Sequence, residues 1–217
     1  MTTHNGNAQK LPDVKKVLGN PKITFVLGGP ASGKGTQCAK LVEEFGYTHI
    51  STGDLFRAEV AKGSREGAMM KRIMNEGGLI PYQLTVQVLI NALIANPSKN
   101  YLIDGFPRAR DQAVYFEQVV GEAQSDLYFN TPLDVCVARC MERAKTSGRS
   151  DDTEETIKAR LRTYEEQSKP VVEMYAKFGK VREVDGSHDT LTVWKATREA
   201  MLPQVSWIVG PKISGKT

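Results

Sequence analysis

The sequence predicts an α/β protein, a five-stranded parallel sheet layered between helices. Three observations predict it. Short β-branched and aromatic runs alternate with segments of helical periodicity, as in successive βαβ units. The runs are apolar enough for a sheet covered on both faces. The first of them, Lys22–Leu27 (KITFVL), leads through a glycine-rich turn into a helical segment, an order that sets backbone amides at a helix N-terminus.

Residues 1–20 are polar, lack sustained periodicity and read as a flexible arm. After the first strand, Cys38, Leu41, Val42 and Phe45 fall on one face of a helix over Lys34–Phe45. Tyr47–Ile50 reads as the second strand. Residues 53–75 are helical but broken at Gly63 and Gly67, and Gly77-Gly78 stops the pattern. Tyr82–Ala95 is the clearest helix, with Pro81 at its first position and Pro97 beyond its end. Asn100–Ile103 gives a third strand closing on Asp104-Gly105, followed by a helix over Ala109–Val120. Asp126–Phe129 is a fourth strand and Leu133–Ala144 a helix. Thr146–Asp152 is a polar loop, and Asp152, three residues before Glu155, suits a cap for the next helix. That helix carries Ile157, Leu161 and Tyr164 on one stripe and should kink or break at Pro170. Val181–Val184 is the fifth strand and Leu191–Leu202 the last helix. From Pro203 no element is assigned. Residues 21–208 read as one domain and 209–217 as a flexible tail.

A chain of 217 residues suits one domain with a sizeable core. With 40% hydrophobic and 25% charged residues, it is not a disordered, collagenous or coiled-coil chain. No apolar run nears the roughly 18 residues of a membrane span. The N-terminus lacks the apolar block of a signal peptide, so a cytoplasmic protein with no membrane partner is expected. Three widely spaced cysteines favour a reducing compartment over a disulfide framework. A net charge of +4 is too small to imply a nucleic-acid partner. Its distribution says more. Arg139, Arg143, Lys145, Arg149, Lys158, Arg160 and Arg162 crowd one stretch, which suits a compact polyanionic ligand.

Gly28-Gly29-Pro30-Ala31-Ser32-Gly33-Lys34, followed by Gly35-Thr36, has the G-x-x-x-x-G-K spacing of a phosphate loop. Its glycines let successive N–H groups turn into one concavity at the helix N-terminus. Lys34 adds an ammonium for the outer phosphates and Thr36 a hydroxyl near Mg²⁺. Asp104, at the end of the apolar strand YLID, can hold Mg²⁺ through water. The segment GPKISGKT (210–217) satisfies the same spacing, but no helix follows it in this sequence and the match is expected to be coincidental.

GGPASGKGTQ, STGDLFR (51–57), LIDGFPR (102–108), Gln112 and SGRSDD (147–152) occur in that order. Together they resemble the nucleoside monophosphate kinases, most of all the short-lid adenylate kinases, from about Lys22 to Asp185. The resemblance implies a P-loop three-layer fold with a small helical insertion at 51–80 for the acceptor monophosphate and a short lid at 142–152. It implies ATP binding by Gly29, Pro30, Ala31, Ser32, Gly33, Lys34, Gly35 and Thr36. Arg139 and Arg143 would reach the ATP phosphates, with Gly186 beyond the fifth strand. It implies AMP binding by Thr52, Arg57, Gly78, Leu79, Ile80, Gly105, Phe106, Pro107, Arg108 and Gln112, with Arg149 and Arg160 bridging donor and acceptor. Lys34, Arg108, Arg143, Arg149 and Arg160 would then be catalytic. Asp151 and Asp152 help to position the lid arginines in that reading; on residue chemistry alone they are carboxylates favoured by a helix N-terminus. Gly77-Gly78 likewise reads as a plain helix stop. One departure is Ala31, where many members have glycine.

Thr52 and Gln112 are of the adenylate type; similar kinases for UMP and CMP typically carry Ala and Asn there. A Gln amide could pair with cytosine as well as adenine. The expected activity is reversible transfer from Mg·ATP to AMP, giving ADP, with Mg²⁺ as cofactor and the protein a monomer. A UMP/CMP kinase of the same fold is the nearest alternative. From another class, a nucleotide-gated binding protein would transfer no phosphate. The lid is too short for a metal-stapled subdomain, and Cys136 and Cys140 read as core, so no structural metal is expected.

Overall fold

The computed structural model describes residues 14–149 and 151–205. Its strands are β1 (Lys22–Gly28), β2 (Thr48–Ser51), β3 (Asn100–Asp104), β4 (Ser125–Asn130) and β5 (Val181–Asp185). They pair in parallel in the order β2-β3-β1-β4-β5. The register brings the carboxyl ends level: Val26 and Ser51 both oppose Asp104, and Gly28 opposes Phe129. The chain fills one side of β1 before the other, so a crevice opens beyond the end of β1, where such sheets bind ligands.

The helices are α1 (Val14–Leu18), α2 (Lys34–Phe45), α3 (Thr52–Ala61), α4 (Arg65–Asn75), α5 (Tyr82–Ala95), α6 (Arg110–Val119), α7 (Leu133–Ala144), α8 (Glu154–Thr163), α9 (Lys169–Ala176) and α10 (Thr190–Val205). Side chains alternate across the sheet. Phe25, Tyr101, Ile103 and Tyr128 pack on α5, α6 and α9, while Val26, Leu102, Leu127 and Phe129 pack on α2 and α10. Phe25 sits edge-on to Phe106 and Phe116, with centroids 5.5 and 5.4 Å away. A smaller cluster of Cys136, Cys140, Ile157 and Leu161 joins α7 to α8, so both cysteines are core residues.

Val14–Leu18 is helical rather than part of an arm, because Val14 is buried in the core beside α5; residues 1–13 and 206–217, which include the expected tail 209–217, lie outside the described residues. Gly63 does break the helix, but Gly67 lies inside α4. A Cβ there would stand 2.6 Å from the Glu59 carbonyl oxygen, so glycine is what lets α3 and α4 touch. The cap of α8 is Thr153, whose hydroxyl accepts from Thr156 N, and Asp152 is spent elsewhere. The interruption expected at Pro170 falls just before it. Tyr164–Ser168 form a π-helical turn in which Lys169 N–H donates to Tyr164 O, which spares the chain a proline ring driven into an α-helical carbonyl.

Candidate active site

The turn after β1 wraps around the side chain of Lys34. Its Nζ donates to Gly28 O (2.8 Å), Gly29 O (2.7 Å) and Ser32 Oγ (3.2 Å). Burial lowers its pKa, while the Asp104 charge pulls the other way. Gly28 is required by space, since a Cβ would stand 2.7 Å from both Phe129 O and Ser32 Oγ. Ala31 adopts φ 55°, the left-handed region, where an L-residue costs about 1–2 kcal/mol. Its methyl packs on the Cys136 cluster, which compensates in part. Gly186 closes over this loop, and a Cβ on it would collide with Thr131 Oγ1 and crowd Ser32 O.

Opposite the loop lies a second cationic group. Arg108 is held by Nε donating to Gly105 O (2.7 Å), and its N–H donates to Gln112 Oε1 (2.9 Å). Burial, then the neighbouring Arg160, pulls its pKa down to about 10, so it stays charged at neutral pH. Arg57 pairs with Asp54 (2.6 Å) and reaches Asp151 (3.9 Å). Arg160 Nη1 donates to Asp151 Oδ2 and Asp152 Oδ1, both at 3.1 Å. Arg143 makes a two-pronged contact with Asp152, Nε to Oδ2 at 2.9 Å and Nη2 to Oδ1 at 2.7 Å. Burial would raise the Asp152 pKa, but these hydrogen bonds and the Arg143 and Arg160 charges lower it overall. One buried carboxylate thereby fixes two guanidinium groups at the cleft wall.

Both groups face one cleft of about 610 Å³. Of the residues expected to bind ATP, Pro30 to Thr36, Arg139, Arg143 and Gly186 line it; of those expected to bind AMP, Thr52, Arg57, Gly78, Leu79, Ile80, Gly105, Pro107, Arg108, Gln112, Arg149 and Arg160 do. Two expected residues stand back. Phe106 is buried in the core against Phe25, and Gly29 packs beneath the loop, against Cys136 and Tyr164. Arg139 is already engaged, donating to the carbonyls of Gly186 (2.7 Å), Ser187 (3.3 Å) and His188 (3.1 Å). Asp104 ends β3 next to Gly35, and the Thr52 hydroxyl donates to its carbonyl (3.0 Å) and to that of Gly105 (3.1 Å).

Sequence reasoning missed His49, whose Nε2 lies 3.4 Å from Asp104 Oδ2, and Asp54, which stands between Arg57 and Arg149. His49 lies inside β2, short of the strand end beyond which ligands gather, so no local signal marked it. Sequence reasoning also missed Tyr164 and Ser168, which the π-helical turn brings to the cleft wall.

A family model described as adenylate kinase matches residues 26–180. The chain is 46% identical to a UMP-CMP kinase of Lentinula edodes over 197 residues, 85% of this chain and 87% of that one. It is 47% identical to adenylate kinase isoenzyme 1 of Sus scrofa over 180 residues, 81% and 93% of the two chains. It is 44% identical to uridylate kinase of Saccharomyces cerevisiae over 183 residues, 82% and 90%. A phosphate loop facing a second arginine-lined pocket across one cleft thus has its explanation: the chain belongs to the adenylate kinase family and is a nucleoside monophosphate kinase.

Proposed function

We propose that the protein transfers the γ-phosphoryl group of Mg·ATP reversibly to AMP, giving two ADP. The observation that carries this reading is the pair of anion-binding ends in one cleft, the Lys34 loop at one and Arg57 with Arg108 at the other. In this reading the ATP phosphates lie on the loop amides and Lys34. The AMP phosphate lies on Arg57 and Arg108, and Arg143, Arg149 and Arg160 reach the group in flight.

The incoming phosphate oxygen is already anionic, so no general base is required, and alignment with charge stabilisation does the rest. Asp104 and the exposed Thr36 hydroxyl are hard oxygen donors beside the loop, which fits Mg²⁺. Its chemistry when bound is neutralisation of charge on the donor phosphates. Segments 51–80 and 142–152 exclude water, which would otherwise take the phosphoryl group.

AMP is the preferred acceptor. A backbone N–H can only donate, so the Arg108 contact fixes Gln112 with its oxygen turned inward and its NH₂ left for the base. That donor suits a ring nitrogen of adenine, and Thr52 with Gln112 is the adenylate-type pair. The second reading, UMP or CMP as acceptor, draws on the likeness to UMP-CMP and uridylate kinases and on pyrimidine carbonyls that the same NH₂ could meet.

ADP formation from Mg·ATP with AMP, UMP or CMP tests this. AMP should lead in kcat/KM by at least about tenfold, the discrimination of roughly one hydrogen bond. A lead for UMP or CMP overturns the acceptor assignment but keeps the kinase. Failure with all of them overturns the reading.

A further inference from the structure

We infer that Cys38, His49 and Asp104 form a second kind of cation site, one that takes a thiolate-seeking divalent ion of the zinc class. Neighbouring elements supply the three: Cys38 from the buried face of α2, His49 from β2 and Asp104 from the end of β3. Their ligand atoms all lie within 4.8 Å of one another, and among the described residues no other such cluster of His, Cys, Asp or Glu occurs. His49 Nε2 and Asp104 Oδ2 are 3.4 Å apart. A tetrahedral zinc ion, with bonds of about 2.0–2.3 Å, sets its ligands roughly 3.3–3.6 Å apart. The His–Asp edge is therefore already at coordination spacing, and the Cys38 sulfur, within 4.8 Å of both, needs to approach by no more than about 1.5 Å. His49 and Asp104 both line the cleft, so an ion can enter from that side and keep a water or phosphate oxygen as its fourth ligand.

The charges also balance. The ion displaces the Cys38 thiol proton to solvent, and a thiolate with the Asp104 carboxylate then neutralises a divalent cation. Lys34 is held on the loop side by Gly28 O and Gly29 O. Magnesium prefers oxygen and keeps its waters, so it can use Asp104 while leaving Cys38 and His49 untouched. Zinc takes all three. Given the role proposed above for Asp104, zinc occupancy switches phosphoryl transfer off.

The test uses nucleotide-free protein, because ATP itself binds zinc. Titration with Co²⁺, a coloured stand-in for zinc, should show one equivalent bound per chain, with a thiolate-to-cobalt charge-transfer band in the near ultraviolet that Zn²⁺ then abolishes. Cys38→Ala should eliminate the band, with circular dichroism and ATP binding retained; Cys38→Ser, which restores volume, is the fallback if the alanine variant misfolds. His49→Gln should weaken cobalt binding at least about tenfold, the loss expected for even an outer-shell partner. No charge-transfer band, or a band that survives in the Cys38 variants and so resides on Cys136 and Cys140, overturns the site. Protein loaded with zinc before Mg·ATP and AMP are added should be inhibited, and Cys38→Ala at least tenfold less so. Cobalt bound through Cys38 with turnover unchanged supports the site and overturns the role given to Asp104.

Discussion

Asp152 and Asp126 are both buried carboxylates, and their surroundings treat them oppositely. Asp152 accepts from Arg143 and Arg160, which favours its charged form. Asp126, in β4, has both carboxylate oxygens buried without a hydrogen-bond partner. Burial pushes its pKa up to about 7, Lys180 opposing and Glu117 adding to the rise. Since an unfolded Asp titrates near 3.8, the folded state holds the extra proton between about pH 4 and 7. The stability tied to this proton is complete below pH 4 and is lost as pH rises to about 7. Asp126→Asn removes that slope, so its stability relative to the parent should increase from pH 5 to pH 8 by on the order of 2 kcal/mol. Urea unfolding at both pH values measures it; a difference independent of pH contradicts it. Residue chemistry of this kind was only half legible. The arginines announced themselves by clustering, and the loop by its glycines. Which carboxylate each arginine would find was not legible, because Asp152 ahead of Glu155 matches a helix cap as well as an ion-pair partner.

Helix α8 carries Arg160, and its position depends on how it meets the end of α4. Thr156 Oγ1 donates to Asn75 O (2.7 Å) and Thr163 Oγ1 to Gly77 O (2.8 Å). Gly77 has φ +71°, and a Cβ there would stand 2.6 Å from Ala159 Cβ and 2.9 Å from Arg160 N. Replacement by alanine combines an unfavourable φ with a backbone collision. Gly77→Ala should cost about 2 kcal/mol of stability and lower kcat at least about tenfold by displacing Arg160. Melting and steady-state kinetics check both; an unchanged kcat would remove the link between this contact and Arg160. In sequence Gly77-Gly78 looks like any helix stop, because the helix it touches lies far along the chain. The π-helical turn was hidden for a related reason. Pro170 signals that an α-helix cannot continue unchanged, but not how the chain absorbs the interruption.

Across the whole molecule, the 51–80 segment and the 142–152 segment meet through ion pairs. Arg149 reaches Asp54 and Arg57 reaches Asp151, each at 3.9 Å. The Arg149–Asp54 pair, exposed on its Asp54 side, contributes less than about 1 kcal/mol, too little to resist a phosphate that claims the same arginine. Asp54→Ala should therefore change kcat by less than about threefold, whereas Arg149→Ala should lower it on the order of 10³-fold, as for other arginines that stabilise a phosphoryl group in transit. Equal losses in the two variants would contradict that division. The parallel sheet was legible at this scale from the alternation of strands and helices. The closeness of the 51–80 and 142–152 segments was not, because it arises from long-range pairs that no local pattern encodes. In the proposed function, the loop around Lys34 and the pocket around Arg108 hold two nucleotides end to end. The most direct measurement is the affinity of a bisubstrate analogue, two adenosines joined by a five-phosphate bridge, compared with that of ATP by calorimetry. Binding at least about 10²-fold tighter than ATP is predicted, as for a ligand that engages both ends at once; binding no tighter than ATP would contradict it.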